Sequence, residues 1–437
     1  MHRLRLLLSI GSLIAQASCQ TYHGLSTPRP LNMVRQEVAI RGAMPASGLL
    51  SFGEAVLLAL QNNPSLAAFN PALRASDGLI LQASLKPNPT LDGQVENALG
   101  SGTYRGFDAA ESTLAISQLI ERRGKLKARH AVQMAGKALI LSDYEIARRE
   151  IFTEVGQAFA QALAAQEKIE LYRELVELNE SFLPEIDKPI EAEKITAVER
   201  SRAKTAVTTA RLMRLQAERE FKIASLRLAA TWGGTTATFG RVFGKIGELP
   251  SLADQSSLEE RLRSHPAYQK ENENIAKSEA EHRLALVKGK SDVTVHGGVK
   301  HFSEGKDEVA LVVGFSIPLP FNDTNQGEIA ATAAQIEVGQ RQRDAALADL
   351  KTKLNTALQT LAATRAEADT ITNELLPGAQ EAFDGVQDGY SKGRLGYLDL
   401  IEARRSLTEA RVQLLESKAA YQEAAAEIAG LTAPLPN

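Results

Sequence analysis

The stretch Phe315-Ser-Ile-Pro-Leu-Pro-Phe-Asn-Asp-Thr-Asn-Gln-Gly-Glu328 turns a strand into a very long helix. Upstream of it Val309, Leu311, Val313, Phe315 and Ile317 alternate with Ala310, Gly314 and Ser316, the period of a strand with one apolar face. Pro318 and Pro320 end that strand, because proline cannot donate to a ladder. Asn322, Asp323, Thr324 and Asn325 are turn and N-cap residues. From about Glu328 to Gln387 the chain is rich in Ala, Glu, Gln, Leu and Arg and predicts one helix. An earlier junction of the same kind stands at Ser117-Gln-Leu-Ile-Glu-Arg-Arg-Gly-Lys125. The strand-to-helix positions to watch are therefore Pro318, Pro320 and Gly327 in one junction and Gly124 in the other.

Outward from these junctions the same programme runs twice. Ser51 is a predicted N-cap with Glu54 in the capping-box position, and Asn62-Asn-Pro64 breaks that first helix. A second helix runs to about Leu85, ahead of Pro87. Pro89 to Leu99 and Glu111 to Leu119 alternate as strands around a glycine-rich loop at 100–106. Strands of roughly 9–11 residues can cross a membrane at a tilt. From Lys125 to about Leu183 the chain is helical, a length of roughly 90 Å at 1.5 Å per residue. Pro184 and Pro189 interrupt it, and a further helix runs from about Ala192 to Thr231, stopped by Trp232-Gly-Gly234. Ser257 to Pro266 then echoes Ser51 to Pro64. It leads to a helix over 267–288, strands over 292–301 and 309–317, the second long helix, a break at Gly389 to Gly396 and a last helix from Tyr397 to about Ala429. Gly124 and Gly327 lie 203 residues apart, as do Glu199 and Glu402, and Arg202 and Arg405. Such a period is a duplication rather than a solenoid. The two repeats span 51–235 and 250–433.

Composition narrows the classes. Net charge is −3, which gives no footprint for nucleic acid. Aromatic residues make up 5%, low for one large compact core. No run of about 18 apolar residues exists, so no transmembrane helix is predicted. Arg3 and Arg5 followed by Leu6 to Ile14 read as a signal peptide over 1–18. Ala15-Gln-Ala17 suits signal peptidase I, whereas Ala17-Ser-Cys19 suits the end of a lipobox that would lipidate Cys19, the one cysteine. Residues 19–50 read as an extended N-terminal arm.

Four strands with one apolar face cannot close a barrel, and an open edge cannot sit in lipid. Two copies would supply eight strands and three would supply twelve. Long, alanine-rich helices of mixed charge suit a tube of packed helices. The physical reading is a homo-oligomeric barrel continued by a helical tunnel, hence a conduit and not an enzyme.

The whole mature chain resembles the TolC-like outer membrane factors of Gram-negative bacteria. Ile317-Pro-Leu-Pro-Phe-Asn-Asp-Thr-Asn-Gln-Gly327 looks like the strand-to-helix signature of their heavy-metal efflux branch, the CzcC and CusC type. Leu81-Gln-Ala-Ser-Leu-Lys-Pro-Asn-Pro-Thr90 with Glu96-Asn97, Gln118 to Lys125, and Asn62-Asn-Pro64 are similar to other stretches of that pattern. The resemblance implies a mainly α protein with a membrane β-barrel: a trimer with a twelve-stranded barrel in outer membrane lipid and a periplasmic α-helical tunnel. It also implies a periplasmic adaptor and an inner-membrane transporter of the resistance-nodulation-division class as partners, with no cofactor. The expected function is passive export of heavy-metal cations. Export of organic compounds is the alternative, and a periplasmic coiled-coil adaptor without a barrel is a further one.

The same resemblance places a gate. Tyr390-Ser-Lys-Gly393 followed by Leu398-Asp-Leu-Ile-Glu-Ala403 looks like the family's periplasmic tip, where Tyr390, Asp399 and Glu402 would line or lock a constriction. Rings of carboxylates would favour cations. The first-repeat tip, with Glu199 and Arg202, departs from the pattern: it lacks Tyr-x-x-Gly, has Ala197 where an acidic residue is common, and is shortened by ten residues. The plainer reading of Glu199, Arg202, Glu402 and Arg405 is solvated or intrahelical charge. His296, His301, Glu304 and Asp307 match no metal-site spacing, and His130, His265 and His282 read as isolated, solvated residues. No nucleophile–base constellation is visible.

Overall fold

The computed structural model describes residues 48–184, 197–247, 254–304 and 308–434. The signal peptide, Cys19, the arm as far as residue 47, Pro189 and Asp307 lie outside them. The first repeat runs β1 (Leu49–Ser51), α1 (Phe52–Asn62), α2 (Pro64–Ala67), α3 (Phe69–Ser84), β2 (Thr90–Glu96), β3 (Glu111–Ile120), α4 (Lys125–Ser181) and α5 (Ala197–Ala230). After β4 (Arg241–Phe243), the second runs α6 (Gln255–Arg261), α7 (Pro266–Lys288), β5 (Val293–Phe302), β6 (Glu308–Ser316), α8 (Gln326–Thr370), α9 (Leu376–Ser391) and α10 (Tyr397–Thr432). The 57 residues of α4 make a rod of roughly 85 Å. Among the described residues no helix is long and apolar enough to cross a membrane.

Caps fix the helix starts. Ser51 and Glu54 form the expected capping box, with the Ser51 N–H donating to Glu54 Oε2 at 2.9 Å. Asn63 ends α1 and starts α2: its side-chain oxygen accepts from the Ser65 and Leu66 N–H groups, and its Nδ2 donates to the buried Thr231 carbonyl at 2.8 Å. The break before Pro64 thereby clasps the end of α5. His265 repeats this role ahead of Pro266, with Nδ1 accepting from the Ala267 N–H at 3.1 Å. It is buried, not solvated as its sequence context suggested, because the cap is pressed between helices. His282 is half-buried and bonded to Thr332 Oγ1 at 3.0 Å.

Burial, with Arg149 and Lys353 near by, pushes the His265 pKa down to about 4 from an ordinary 6.5. The folded state thus binds this proton less readily than the unfolded state. The stability that His265 contributes is present above pH 6.5 and is lost as pH falls from 6.5 toward 4. His265→Asn keeps a cap of the Asn63 type, so its thermal midpoint is expected to drop less than the wild type's between pH 7.5 and pH 5.

The second long helix is longer than the sequence indicated and is interrupted by one π-helical turn at Ile371–Leu375. The Leu376 N–H reaches back to the Ile371 carbonyl, five residues away. Pro377 explains it: a proline has no N–H for the usual bond and its ring collides with the carbonyl four residues back. The wider turn absorbs both effects without ending the helix.

β1 and β4 pair in parallel, Leu50 opposite Val242, and neither element was visible in the sequence pattern. Gln166 of α4 holds β4 through a buried amide pair, accepting from the Val242 N–H at 2.9 Å and donating to its carbonyl at 3.2 Å. Phe52 then packs edge-on against Phe152 and Phe159 of α4. The last residues of the expected arm are therefore part of the helical body. Beside it α6 and the short turn after it lay Leu258 and Leu262 against Leu350 and Leu354 of α8 and Tyr421 and Ile428 of α10.

The other sheet has the order β2-β3-β5-β6, antiparallel throughout. Each repeat supplies one hairpin, and β3 pairs β5 to join them, Ile116 opposite Gly297. Among the described residues β2 and β6 have one strand neighbour each, so the sheet is open.

The two junctions differ in detail. Gly124 has φ +79°, the left-handed conformation that glycine favours. In the second junction that conformation falls on Asn325 (φ +66°), and Gly327 lies in the first turn of α8. By conformation Gly124 matches Asn325, so the Gly124–Gly327 spacing is not a structural equivalence. Asn325 stays because its side chain is used: Nδ2 donates to the Ala285 carbonyl at the end of α7 and to Glu328, both at 2.8 Å. Ser291 Oγ donates to the Pro318 carbonyl at 2.5 Å. At the first junction Asp292 accepts from the Arg122 N–H at 3.0 Å and pairs with Lys125 at 2.8 Å. Each strand-to-helix corner is thus tied to the second repeat.

Candidate functional site

The two faces of the four-stranded sheet have opposite chemistry. Leu91, Val95, Leu114, Ile116, Val299, Leu311, Val313 and Phe315 share one face through the registers Leu91–Ile116–Gly297–Val313 and Leu114–Val299–Leu311. Leu311 and Val313 are each 84% exposed and Phe315 is 72% exposed. An apolar face so bare is matched to a non-aqueous surrounding. The opposite face carries Asp92, Gln94, Glu96, Thr113, Ser117, His296 and Lys300 around a hollow of about 440 Å³. Lys300 sits between Glu96, at 3.1 Å, and Glu111, and the Ser117 hydroxyl donates to Asp92. His296 lies over Gly314, which has no side chain in its way. Among the described residues no group of three or more His, Cys, Asp or Glu side chains is arranged to hold a metal ion.

At the far end of the helices the turn between α9 and α10 holds most of the expected gate residues. Gly393 has φ +68°, and its N–H donates to the Tyr390 carbonyl at 2.9 Å. The Gly389 carbonyl accepts from the Arg394 N–H at 2.8 Å, and Leu395 fills the space where a Gly389 side chain would stand. Asp388 pairs with Lys392 at 2.7 Å and Arg394 at 3.2 Å, and the hydrogen bond from Lys392 holds its carboxyl below the usual range. Asp399 is exposed in the first turn of α10 and accepts from the Gly396 N–H at 2.9 Å, so it caps that helix. Glu402 lies 3.6 Å from Arg405 on its own helix, and both are about two-thirds exposed. Tyr390 is half-buried and packs with Phe182, 6.5 Å between centroids, and Tyr397, 5.9 Å. Glu199 and Arg202 stand on the first turns of α5, whose Ala203 packs into the same cluster as Phe182 and Tyr397; Glu199 is half-buried and Arg202 is exposed.

Two residues of this cluster were not singled out in the sequence. Tyr397 is fully buried and Arg404 is 4% exposed. The signal was their spacing: Tyr397, Leu400, Arg404 and Leu407 recur at three and four residues, so an arginine occupies a core position of the stripe. Next to it a groove of about 710 Å³ runs between α4, α5 and α10, with Val198, Ala206, Met213 and Ile401 on its walls and Arg202 and Arg405 at its rim.

A sheet with one lipid-type face and one polar face, carried on very long helices, defines the subunit of a membrane β-barrel with a helical extension. The chain belongs to the outer membrane efflux protein family, whose model matches residues 56–234 and 274–433. It is a protein of the outer membrane and a passive efflux channel component, not an enzyme. It is 29% identical over 375 residues to the cobalt-zinc-cadmium resistance protein CzcC of Cupriavidus metallidurans, covering 85% of this chain and 87% of that one. Among solved structures it superposes on a membrane protein from Pseudomonas aeruginosa with a TM-score of 0.72, at 18% identity, over 87% of this chain and 90% of that one. CusC gives 0.69 at 15% identity over 87% and 91%, and VceC from Vibrio cholerae gives 0.68 at 17% identity over 87% and 96%. The expected TolC-like fold is therefore the fold observed.

Proposed function

We propose that this chain is the outer-membrane channel subunit of a system that exports heavy-metal cations, working as a homotrimer with a twelve-stranded barrel and a periplasmic helical tunnel. The metal cargo is carried by one observation, the likeness to a cobalt-zinc-cadmium resistance protein over 85% of the chain. The acidic residues on the polar face, Asp92, Glu96 and Glu111, agree with cation passage. Closure follows from the open edges of β2 and β6, which in lipid need partners from neighbouring copies. The partners implied are a periplasmic adaptor and an inner-membrane transporter of the resistance-nodulation-division class. In this reading the apolar groove between α4, α5 and α10 is the place where a helix of such an adaptor docks.

Within this reading the turn carrying Tyr390 and Gly393 is the periplasmic gate, with Asp399 and Glu402 at the constriction and Glu199 and Arg202 on the first-repeat side. Asp399 then has two duties, since it also caps α10. Residues 1–18 act as the signal peptide, residues 51–235 and 250–433 are the two efflux repeats, and Cys19 is the candidate for lipid attachment. Growth of a deletion strain across cobalt, zinc, cadmium, nickel, copper and silver, beside dyes, detergents and antibiotics, tests the cargo. Sensitivity confined to metals is expected. Sensitivity confined to organic compounds would replace the metal reading by general organic efflux.

A further inference from the structure

The ring cluster at the tip encloses a charge that no carboxylate among the described residues pairs with. The Arg404 guanidinium lies 4.4 Å from the centroid of Phe182 and 5.8 Å from that of Phe383. One of its nitrogens, Nη1, donates to Asn179 Oδ1. Among the described residues its Nε and Nη2 have no hydrogen-bond partner, and neither has the hydroxyl of Tyr397, which is fully buried beside it. Burial lowers the guanidinium pKa from its ordinary value and raises that of the Tyr397 phenol. An arginine does not escape by losing its proton. One neutral acceptor and two ring faces return less than the hydration that the ion gave up.

The charge also sits on a seam. Asn179 and Phe182 belong to the end of α4, Phe383 to α9 and Arg404 to α10, so parting α10 from α4 is the movement that lets water reach the guanidinium. We propose that Arg404 is a built-in destabilising wedge that keeps the packed tip close in free energy to an opened one. This rests on the reading of the tip as the gate. It assigns Arg404 a role opposite to that of the surrounding rings: Phe182, Tyr390 and Tyr397 hold the tip together, and Arg404 limits how firmly they do so.

The test uses the full-length protein reconstituted in planar bilayers, with thermal unfolding followed in parallel. Arg404→Met keeps the stem and removes the charge. It is expected to raise the unfolding midpoint and to make opening events rarer by about fivefold or more. Arg404→Gln, which can still bond Asn179, is expected to shift both readouts the same way. A lower midpoint with opening as frequent as in the wild type, or more so, would overturn the proposal, because Arg404 would then be holding the tip shut. Tyr390→Ala separates the two ideas. If it opens the channel while Arg404→Met fails to quieten it, the gate stands and the wedge falls. If neither variant alters conductance, the gate is not at this turn and both fall.

Discussion

Val313→Arg is expected to abolish stable assembly in the outer membrane. Val313 lies mid-strand in β6 on the apolar face, opposite Gly297, and is 84% exposed in the single chain. If that face meets lipid, an arginine near the membrane midplane costs about 2–4 kcal/mol per copy, and each copy in the barrel bears it. Thr113→Lys is the matched control. Thr113 is on the polar face, next to Gln94 on one side and Lys300 on the other, where an added cation meets water. The variant should assemble normally and change ion selectivity alone. Both are read from the amount of detergent-extracted, folded protein in outer-membrane fractions. Equal loss in both variants would mean that the two faces are not divided between lipid and water.

Gly430→Val is expected to destabilise the helical body severely. A Cβ at Gly430 of α10 would overlap Thr153 Oγ1 of α4, and one at Gly156 of α4 would overlap the Ala426 side chain of α10. These two glycines let the middle of α4 and the end of α10 approach closely. The Arg149 guanidinium, on the same stretch of α4, donates to the Gly430 and Ala433 carbonyls at 2.9 and 3.1 Å and satisfies the end of α10. A larger side chain would push the helices apart and pull those carbonyls from Arg149. Overpacking alone costs about 1–3 kcal/mol, and the lost cap adds to it. A sharply lower thermal midpoint, with the variant protein degraded in cells, is the expected result. Gly327→Ala is a useful contrast, since a Cβ there meets open space.

What could be read from the sequence follows from which features are local. The strands were legible because a two-residue period with one apolar face needs no tertiary information, and the apolar residues named from Val309 to Phe315 share one bare face in the structure. The long helices were legible from composition and from the prolines that bound them. The pairing of β1 with β4 was not, because three-residue strands carry no period and are held by Gln166 from a distant helix. The burial of His265 is hidden from the sequence for a related reason. As a residue before proline it looks like any loop histidine, and only the packing around it shows a buried cap. Gly327 drew attention as a glycine, yet the left-handed position belongs to Asn325, whose side chain binds α7 and so favours asparagine there. At the tip the sequence pointed to Tyr390, Gly393, Asp399 and Glu402. The buried charge of Arg404 escaped notice because an arginine among charged neighbours reads as solvent-facing until its helical phase is aligned with Leu400 and Leu407.

The account depends most on how the open sheet is closed. Native mass spectrometry of the detergent-extracted protein, compared with the denatured mass of one mature chain from the same sample, measures this directly. Three copies, hence twelve strands, are predicted. A single chain would contradict the account outright, because β2 and β6 would then carry unpaired edges into lipid. Two copies would close an eight-stranded barrel and would contradict the trimeric tunnel.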